Sequence, residues 1–172
     1  ALVGPDGEPL SEELTLVLAV DFLLAREPGP VVVNLSTTGL IETAAGRHGA
    51  AVARAPVGEA NVVAAMLANG AVIGGEGNGG VIYPRLHPGR DALVGIAMVL
   101  QALAESGGTL RDLVARFPSP AMVKEKIELR RPFDAARWRP ALAALGPGEL
   151  DDRDGLKWSG AQAWVHVRPS NT

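Results

Sequence analysis

The chain has 172 residues, and its shares of 47% hydrophobic and 20% charged residues are typical of a globular protein with a hydrophobic core. A formal net charge of −3 offers no basic surface for nucleic acid or an anionic membrane, and the absence of cysteine excludes disulfides and thiolate metal sites. There is no apolar run of about 18 residues, as a membrane span would need, and no signal-peptide pattern, so we expect a cytoplasmic protein.

The first part of the chain predicts a turn and then a buried helix. Residues 1–9 are predicted to be the end of a preceding domain, with a turn at Pro5-Asp6-Gly7. From Ser11 onward apolar side chains occupy nearly every face of a predicted helix, which is typical of a helix buried against a sheet. The continuous apolar run Val31–Leu35 then predicts a buried strand of a parallel sheet.

Polar residues follow this strand. Ser36 and Thr37 precede a helix predicted over Gly39–His48, where hydroxyls and backbone N–H groups can bind an anion, although helix capping is the alternative that these residue types favour. A strand over Ala50–Arg54 and a helix over Asn61–Asn69 continue the alternation. Such alternation predicts an α/β fold, here a three-layer α/β/α domain with a mostly parallel sheet.

The next segment is a glycine-rich stretch between two short predicted strands, Ala71–Ile73 and Val81–Tyr83. Its glycines allow tight bending, and they flank Glu76 and Asn78, whose carboxylate and amide together can bind vicinal sugar hydroxyls. A simple turn is the alternative. The spacing also fits a dinucleotide-binding fingerprint, but that motif requires a helix after the glycines, and here a strand and a proline follow.

These polar segments share a predicted location. Ser36, Thr37, Glu59 and Glu76 all follow predicted strands, and ligands of parallel sheets bind beyond the carboxyl ends of the strands. We therefore expect them to share one site. Glu59 either faces a sugar hydroxyl or an amine or only caps its helix. Arg90, in a predicted loop over Arg85–Asp91, either reaches the site or forms a solvated pair with Asp91, and the pattern favours the solvated pair.

The remainder of the chain predicts a second domain. After helices over Ala92–Glu105 and Thr109–Arg116, two prolines interrupt the periodicity, which places a boundary between a domain over residues 10–117 and one over 118–172. An alternating strand over Met122–Leu129, a helix over Phe133–Leu145 and strands at Leu156–Trp158 and Ala163–Arg168 indicate a smaller α+β domain.

The chain ends with the sequence Arg168-Pro169-Ser170-Asn171-Thr172. A guanidinium fork followed by hydroxyls and backbone N–H groups suits a phosphate. A common turn is the alternative that the composition alone favours.

Two motifs in this order, Gly-Glu-Gly-Asn-Gly-Gly over residues 75–80 and Arg-Pro-Ser-Asn-Thr over 168–172, resemble those of the α-D-phosphohexomutases, which include phosphoglucomutases, phosphomannomutases and phosphoglucosamine mutases. The resemblance extends to Val-Gly-Glu-Ala-Asn-Val over 57–62 and Asp-Gly-Leu-Lys-Trp over 154–158. It implies that the chain corresponds to the third and fourth domains of that family. The implied sugar ligands are Glu76, Asn78 and Gly80, and the implied phosphate ligands are Arg168, Ser170, Asn171 and Thr172. Gly80 stands where many members have histidine.

The resemblance also implies an activity. A parent enzyme of this family interconverts hexose or hexosamine 1-phosphate and 6-phosphate through a 1,6-bisphosphate, with magnesium and a hexose 1,6-bisphosphate activator. The phosphoserine loop and the Asp-rich magnesium loop have no counterpart in this sequence. We therefore expect no catalytic or metal-binding residue here, an inactive isolated chain, and a phosphosugar and the N-terminal domains as partners. The alternative is a non-catalytic two-domain module that binds a sugar phosphate or another partner.

Overall fold

The computed structural model describes residues 2–169 and divides into two compact units, one up to Ala121 and one from Met122 onward. The division falls a few residues after the predicted boundary at residue 117. Residues 2–10 belong to the first unit, where the backbone N–H of Leu10 donates to the carbonyl of Leu2 at 2.9 Å. Both leucine side chains pack against the core of that unit.

The first unit alternates strands and helices up to β3 and then continues with a hairpin and two helices. In chain order its elements are α1 Glu13–Leu24, β1 Val31–Asn34, α2 Leu40–Gly46, β2 Val52–Ala55, α3 Glu59–Asn69, β3 Ile73–Glu76, β4 Gly80–Tyr83, β5 His87–Arg90, α4 Ala92–Ser106 and α5 Leu110–Val114.

These strands form one five-stranded sheet in the order β2-β1-β3-β4-β5. Strands β2, β1 and β3 are parallel, β4 is antiparallel to β3, and β5 is antiparallel to β4, so four of the five strands run in one direction. Side chains alternate between two cores, with Val31 and Val33 in the core that contains α1 and Val32 in the core that contains α3. The predicted α/β fold with a mostly parallel sheet and helices on both faces is confirmed.

Two predictions in this unit were wrong. The strand predicted over Ala71–Ile73 instead begins at Ile73 and continues through two glycines to Glu76. The predicted loop over Arg85–Asp91 contains β5, despite Pro88. Strand β5 is the edge of the sheet, where a residue without a backbone N–H can leave one side of the ladder unpaired.

The second unit contains a helix and a small sheet. Helix α6, Ala135–Ala143, packs on a three-stranded antiparallel sheet of β6 Glu149–Asp151, β7 Leu156–Ser159 and β8 Trp164–Val167. Its core is built on Leu142, Leu156 and Trp158. The predicted smaller α+β domain is confirmed in outline.

The strand predicted over Met122–Leu129 is absent, and among the described residues no strand pairs with this segment. Its apolar side chains are largely exposed, with Val123 at 77% and Ile127 at 70%. No helix within residues 2–169 has both the length and the apolar character needed to cross a membrane.

Candidate functional site

The glycine-rich stretch is a tight hairpin between β3 and β4. Glu76 pairs with Gly80 across the ladder, and residues 77–79 form the connecting loop. Gly79 has φ +84°, a left-handed conformation that glycine adopts without strain. Asn78 at the tip is exposed, and its Oδ1 accepts from the backbone N–H of Gly80 at 3.2 Å. Glu76 therefore lies at the end of a strand, while Asn78 projects from the turn.

The Glu76 carboxylate is buried, with 4% of the residue exposed, and it is bound from three sides. Its Oε1 accepts from Nδ2 of Asn34 at 2.9 Å and from the backbone N–H of Gly58 at 3.1 Å. Its Oε2 lies 3.1 Å from Nη1 of Arg90. A positive φ of 122° at Gly58, at the start of α3, suits glycine at this N–H. Glu76 thus joins the ends of β1 and β3 to the turn after β2 and to β5.

Ser36 and Thr37 reach Glu76 through Asn34. The side-chain Oδ1 of Asn34 accepts from the backbone N–H of Ser36 at 3.0 Å and from the hydroxyl of Thr37 at 2.9 Å. The backbone N–H of Thr37 donates to the Asn34 carbonyl at 3.2 Å, and that of Thr38 donates to Oε2 of Glu13 at 3.0 Å. These N–H groups therefore serve bonds within the chain rather than an open anion site.

Arg90 and Glu59 form the exposed side of this network. Oε1 of Glu59 accepts from the backbone N–H of Arg90, and Oε2 accepts from its Nε, both at 2.9 Å. These bonds, the backbone one first, lower the pKa of Glu59 below its ordinary value and keep it ionised. Asp91 instead caps α4 by accepting from Leu93 and Val94. The preferred interpretation of a solvated Arg90–Asp91 pair is wrong.

Three residues around this network had no predicted role. Asn34 was predicted only as part of a strand. Glu13 is 2% exposed, and its carboxylate occupies the space that a side chain on Gly77 would take. Arg54 on β2 pairs with Glu42 and donates to the carbonyls of Asn34 at 3.1 Å, Thr37 at 2.8 Å and Thr38 at 3.2 Å. One signal was available: Glu13 is a charged residue in a helix that is predicted to be buried.

Arg168 lies in the second unit, just after β8. Its Nη1 donates to the carbonyl of Pro169 at 3.2 Å and lies 4.0 Å from a carboxylate oxygen of Asp154. Next to it, Nε2 of His166 lies 2.6 Å from the carbonyl oxygen of Asp154, and burial lowers the pKa of this imidazole. The other predicted phosphate ligands, Ser170, Asn171 and Thr172, lie outside the described residues.

The donors around Glu76 do not suit a metal ion. Within residues 2–169, no group of three or more His, Asp or Glu side chains is arranged to hold a metal. The carboxylate of Glu76 is committed to nitrogen donors from Asn34, Gly58 and Arg90. These nitrogen donors do not suit magnesium at Glu76, because magnesium prefers oxygen ligands.

The sequence matches one family model and several named proteins. A family model described as phosphoglucomutase/phosphomannomutase, alpha/beta/alpha domain III, matches residues 11–120. A phosphoglucomutase/phosphomannomutase of Thermococcus kodakarensis is 33% identical over 172 residues, covering 99% of this chain and 38% of that protein. A phosphoglucosamine mutase of Methylibium petroleiphilum is 36% identical over 172 residues, covering 94% of this chain and 36% of that protein.

Solved structures agree with this match. A phosphoglucomutase/phosphomannomutase family protein from Burkholderia thailandensis superposes with a TM-score of 0.83 at 23% identity, over 98% of this chain and 37% of that one. A putative phosphomannomutase from Thermus thermophilus gives 0.71 at 27% identity, over 97% and 37%. The chain thus spans less than two fifths of the length of each of these proteins. It belongs to the phosphoglucomutase/phosphomannomutase family, and residues 11–120 correspond to that family's α/β/α domain III.

Proposed function

We propose that this chain is the sugar- and phosphate-binding part of a phosphohexomutase, which moves a phosphoryl group between O1 and O6 of a hexose or hexosamine through a 1,6-bisphosphate. The observation that carries this proposal is the network centred on Glu76. Residues from the ends of β1 and β3, from the turn after β2 and from β5 meet at this carboxylate, inside a unit that matches domain III. Ligands of parallel sheets bind at such an edge.

The side chains of the hairpin can form hydrogen bonds with the hydroxyls of a sugar. Asn78 offers an exposed amide, which donates and accepts hydrogen bonds, and Gly80 adds no side chain that would cover the turn. Glu76 supplies a carboxylate that is already fixed by protein donors, so binding a hydroxyl to it costs little conformational entropy. A hydroxyl that reaches Oε2 shares that oxygen with Arg90.

The phosphate that is not transferred is assigned to the second unit. Arg168 presents a planar fork that matches phosphate oxygens, and Ser170, Asn171 and Thr172 follow it with further donors. Separate binding residues for the sugar and the phosphate suit a bisphosphate intermediate. That intermediate has to reorient between two half-reactions, so the phosphate-binding residues release one of its phosphate groups and bind the other.

The remaining chemistry is assigned to the longer parent protein, where we place the phosphoserine, the magnesium ion and the activating bisphosphate. Magnesium would neutralise charge on the phosphoryl group as it transfers. The residues of this chain orient the sugar, hold the second phosphate and keep the carboxylate in place. The isolated chain is therefore expected to bind but not to convert hexose phosphates. A cytoplasmic location stays a prediction.

Calorimetry of the isolated chain with glucose 1-phosphate, together with a turnover assay of the parent protein, tests this proposal. We expect the chain to bind without turnover and the parent to form glucose 6-phosphate. Binding by the chain with an inactive parent would instead support the non-catalytic binding module. Absence of binding by the chain and of turnover by the parent would contradict both functions.

A further inference from the structure

Arg90 on β5 contacts two carboxylates, Glu76 at the end of β3 and Glu59 at the start of α3. These three residues form a charged cluster. Nη1 of Arg90 lies 3.1 Å from Glu76, and its Nε donates to Glu59 at 2.9 Å. Within residues 2–169, Nη2 of Arg90 has no hydrogen-bond partner, and the side chain is 40% exposed. Nε and Nη1 of the guanidinium therefore contact carboxylates, and Nη2 stays available to a ligand.

Gly80 makes this position of Arg90 accessible. A Cβ on Gly80 would lie 2.5 Å from Cδ of Arg90 and 3.2 Å from Oδ1 of Asn78. The stem of Arg90 and the amide of Asn78 thus both border the space that a side chain on Gly80 would occupy. Arg90 consequently borders the same turn as the predicted sugar ligand Asn78, although it comes from a different strand.

The net charge of the cluster distinguishes between ligand types. Two carboxylates, Glu59 and Glu76, face one guanidinium, so the cluster carries a net charge of about −1 when all three groups are ionised. This charge disfavours a phosphate, which itself carries about −1.5 to −2 near pH 7. A neutral hydroxyl is accepted more easily, since it can receive a hydrogen bond from Nη2 and donate its own proton to a remaining lone pair of a carboxylate.

We infer that Arg90, held in place by Glu59 and Glu76, binds a sugar hydroxyl through Nη2. The inference rests on the proposed function, because it assigns a contact to the hexose that is proposed to bind at this edge. It adds a direct ligand from β5 and a positioning role for Glu59, which holds the guanidinium by two hydrogen bonds.

The experiment is a nuclear magnetic resonance titration of the ¹⁵N-labelled chain with two probes, glucose 1-phosphate and inorganic phosphate. Arg90→Ala is expected to weaken binding of glucose 1-phosphate by about 10-fold or more, because charge-assisted hydrogen bonds of about 1.5–3 kcal/mol correspond to that loss. Its binding of inorganic phosphate should equal that of the wild type. Arg90→Lys keeps the charge without the fork, and we expect it to give an intermediate loss.

Arg85→Ala is the matched control. Arg85 lies just after the same hairpin, is 69% exposed and pairs with Glu27 at 3.1 Å, away from Glu76. Its removal should leave the binding of both probes unchanged. Gly80→Ala provides a second route, because its methyl group displaces the stem of Arg90 without removing the arginine. It should weaken the binding of glucose 1-phosphate as Arg90→Ala does, and Arg90→Lys carries the test if the spectrum shows that Arg90→Ala is unfolded.

Selective loss of glucose 1-phosphate binding in Arg90→Ala and Gly80→Ala, but not in Arg85→Ala, would support the inference. An equal loss for inorganic phosphate would make Arg90 a phosphate ligand and overturn it, as would unchanged binding in the folded Arg90 and Gly80 variants. If the wild-type chain does not bind glucose 1-phosphate, the inference fails, and the turnover assay of the parent protein decides whether the proposed function fails as well.

Discussion

Glu76 and Asn78 are separated by a single glycine, yet their surroundings differ sharply. The Glu76 carboxylate is buried, accepts from Asn34 and Gly58 and forms an ion pair with Arg90, whereas Asn78 is exposed and bonds only to the backbone of its own turn among the described residues. A buried acceptor that loses its partners costs the full penalty of desolvation. The two predicted sugar ligands should therefore contribute very differently to the stability of the chain.

Glu76→Gln is expected to lower the free energy of unfolding by about 1.5–3 kcal/mol, because the amide nitrogen of glutamine cannot accept from the surrounding donors. Asn78→Ala should change it by less than about 0.5 kcal/mol, as is usual for an exposed position. Urea denaturation of the two variants measures both values. A larger loss for Asn78→Ala would mean that Glu76 does not anchor the sheet edge.

Gly77 provides a second test at this scale. A methyl group there would overlap the buried carboxylate of Glu13, so Gly77→Ala should cost about 1–3 kcal/mol of stability, as overpacking does. In a Glu13→Ala background the same change should cost much less, because the space is then open. Gly46→Ala is the control: it lies within α2 with nothing near its Cβ position, and we expect it to be neutral or stabilising. Equal costs of Gly77→Ala in both backgrounds would refute the contact.

At the scale of elements, hydrophobic patterning predicted the strands and helices that are buried in the core. The all-round apolar character of α1 and the run at β1 are examples, and both elements are buried in the structure. Strand β5 could not be predicted this way, because Pro88 and its polar neighbours are tolerated only at the edge of a sheet. Conversely, the alternation over Met122–Leu129 is compatible with a strand that has one apolar face. A strand also needs a neighbouring strand to pair with, and alternation within one segment does not show whether there is one.

The candidate site was likewise predictable from the sequence only in part. The rule that ligands bind at strand ends predicted that Ser36, Thr37, Glu59 and Glu76 would lie near one another, and the bonds through Asn34, Gly58 and Arg90 link them. Whether these residues bind a sugar stays a prediction. The choice of Glu76 rather than Asp91 as a partner for Arg90 depends on the pairing of β5 with β4. Sequence spacing does not reveal that pairing.

The stability of the second unit should depend on pH through His166 in β8. Burial lowers the pKa of His166 in the folded chain below its ordinary value of 6.5, so the unfolded chain takes up the proton first as the pH falls. The stabilising contribution is therefore complete above about pH 6.5 and is lost as the pH falls through the folded pKa. We expect the stability of the second unit to decrease from pH 7.5 to about pH 5, and His166→Gln to flatten this slope.

Tryptophan fluorescence measures that slope, since Trp138, Trp158 and Trp164 are the three tryptophans of the chain and all lie in the second unit. His87→Gln, which removes an exposed imidazole from the first unit, is the control and should leave the slope as it is. A slope that persists in His166→Gln would show that another group titrates.

At the scale of the whole molecule, the chain joins a domain III unit to a second unit that carries Arg168. We propose that the first unit reads sugar stereochemistry and that the second unit binds phosphate. Since a guanidinium fork binds phosphate oxygens without reading the hydroxyls of the ring, the two assignments predict different kinetic signatures. They can be separated in the parent protein, which we propose to be the active enzyme.

The assignment of sugar and phosphate to separate motifs can be tested by measuring kcat/KM of the parent protein and its variants for glucose, mannose and glucosamine phosphates, at a temperature where every variant is folded. Losing a charge-assisted bond should lower kcat/KM by about 10- to 100-fold in Glu76→Gln, against at most about tenfold in Asn78→Ala. Arg168→Ala should weaken all three phosphosugars alike. If Glu76→Gln leaves kcat/KM unchanged, or if Arg168→Ala alters the preference among sugars, the assignment of these two motifs to sugar and phosphate is wrong.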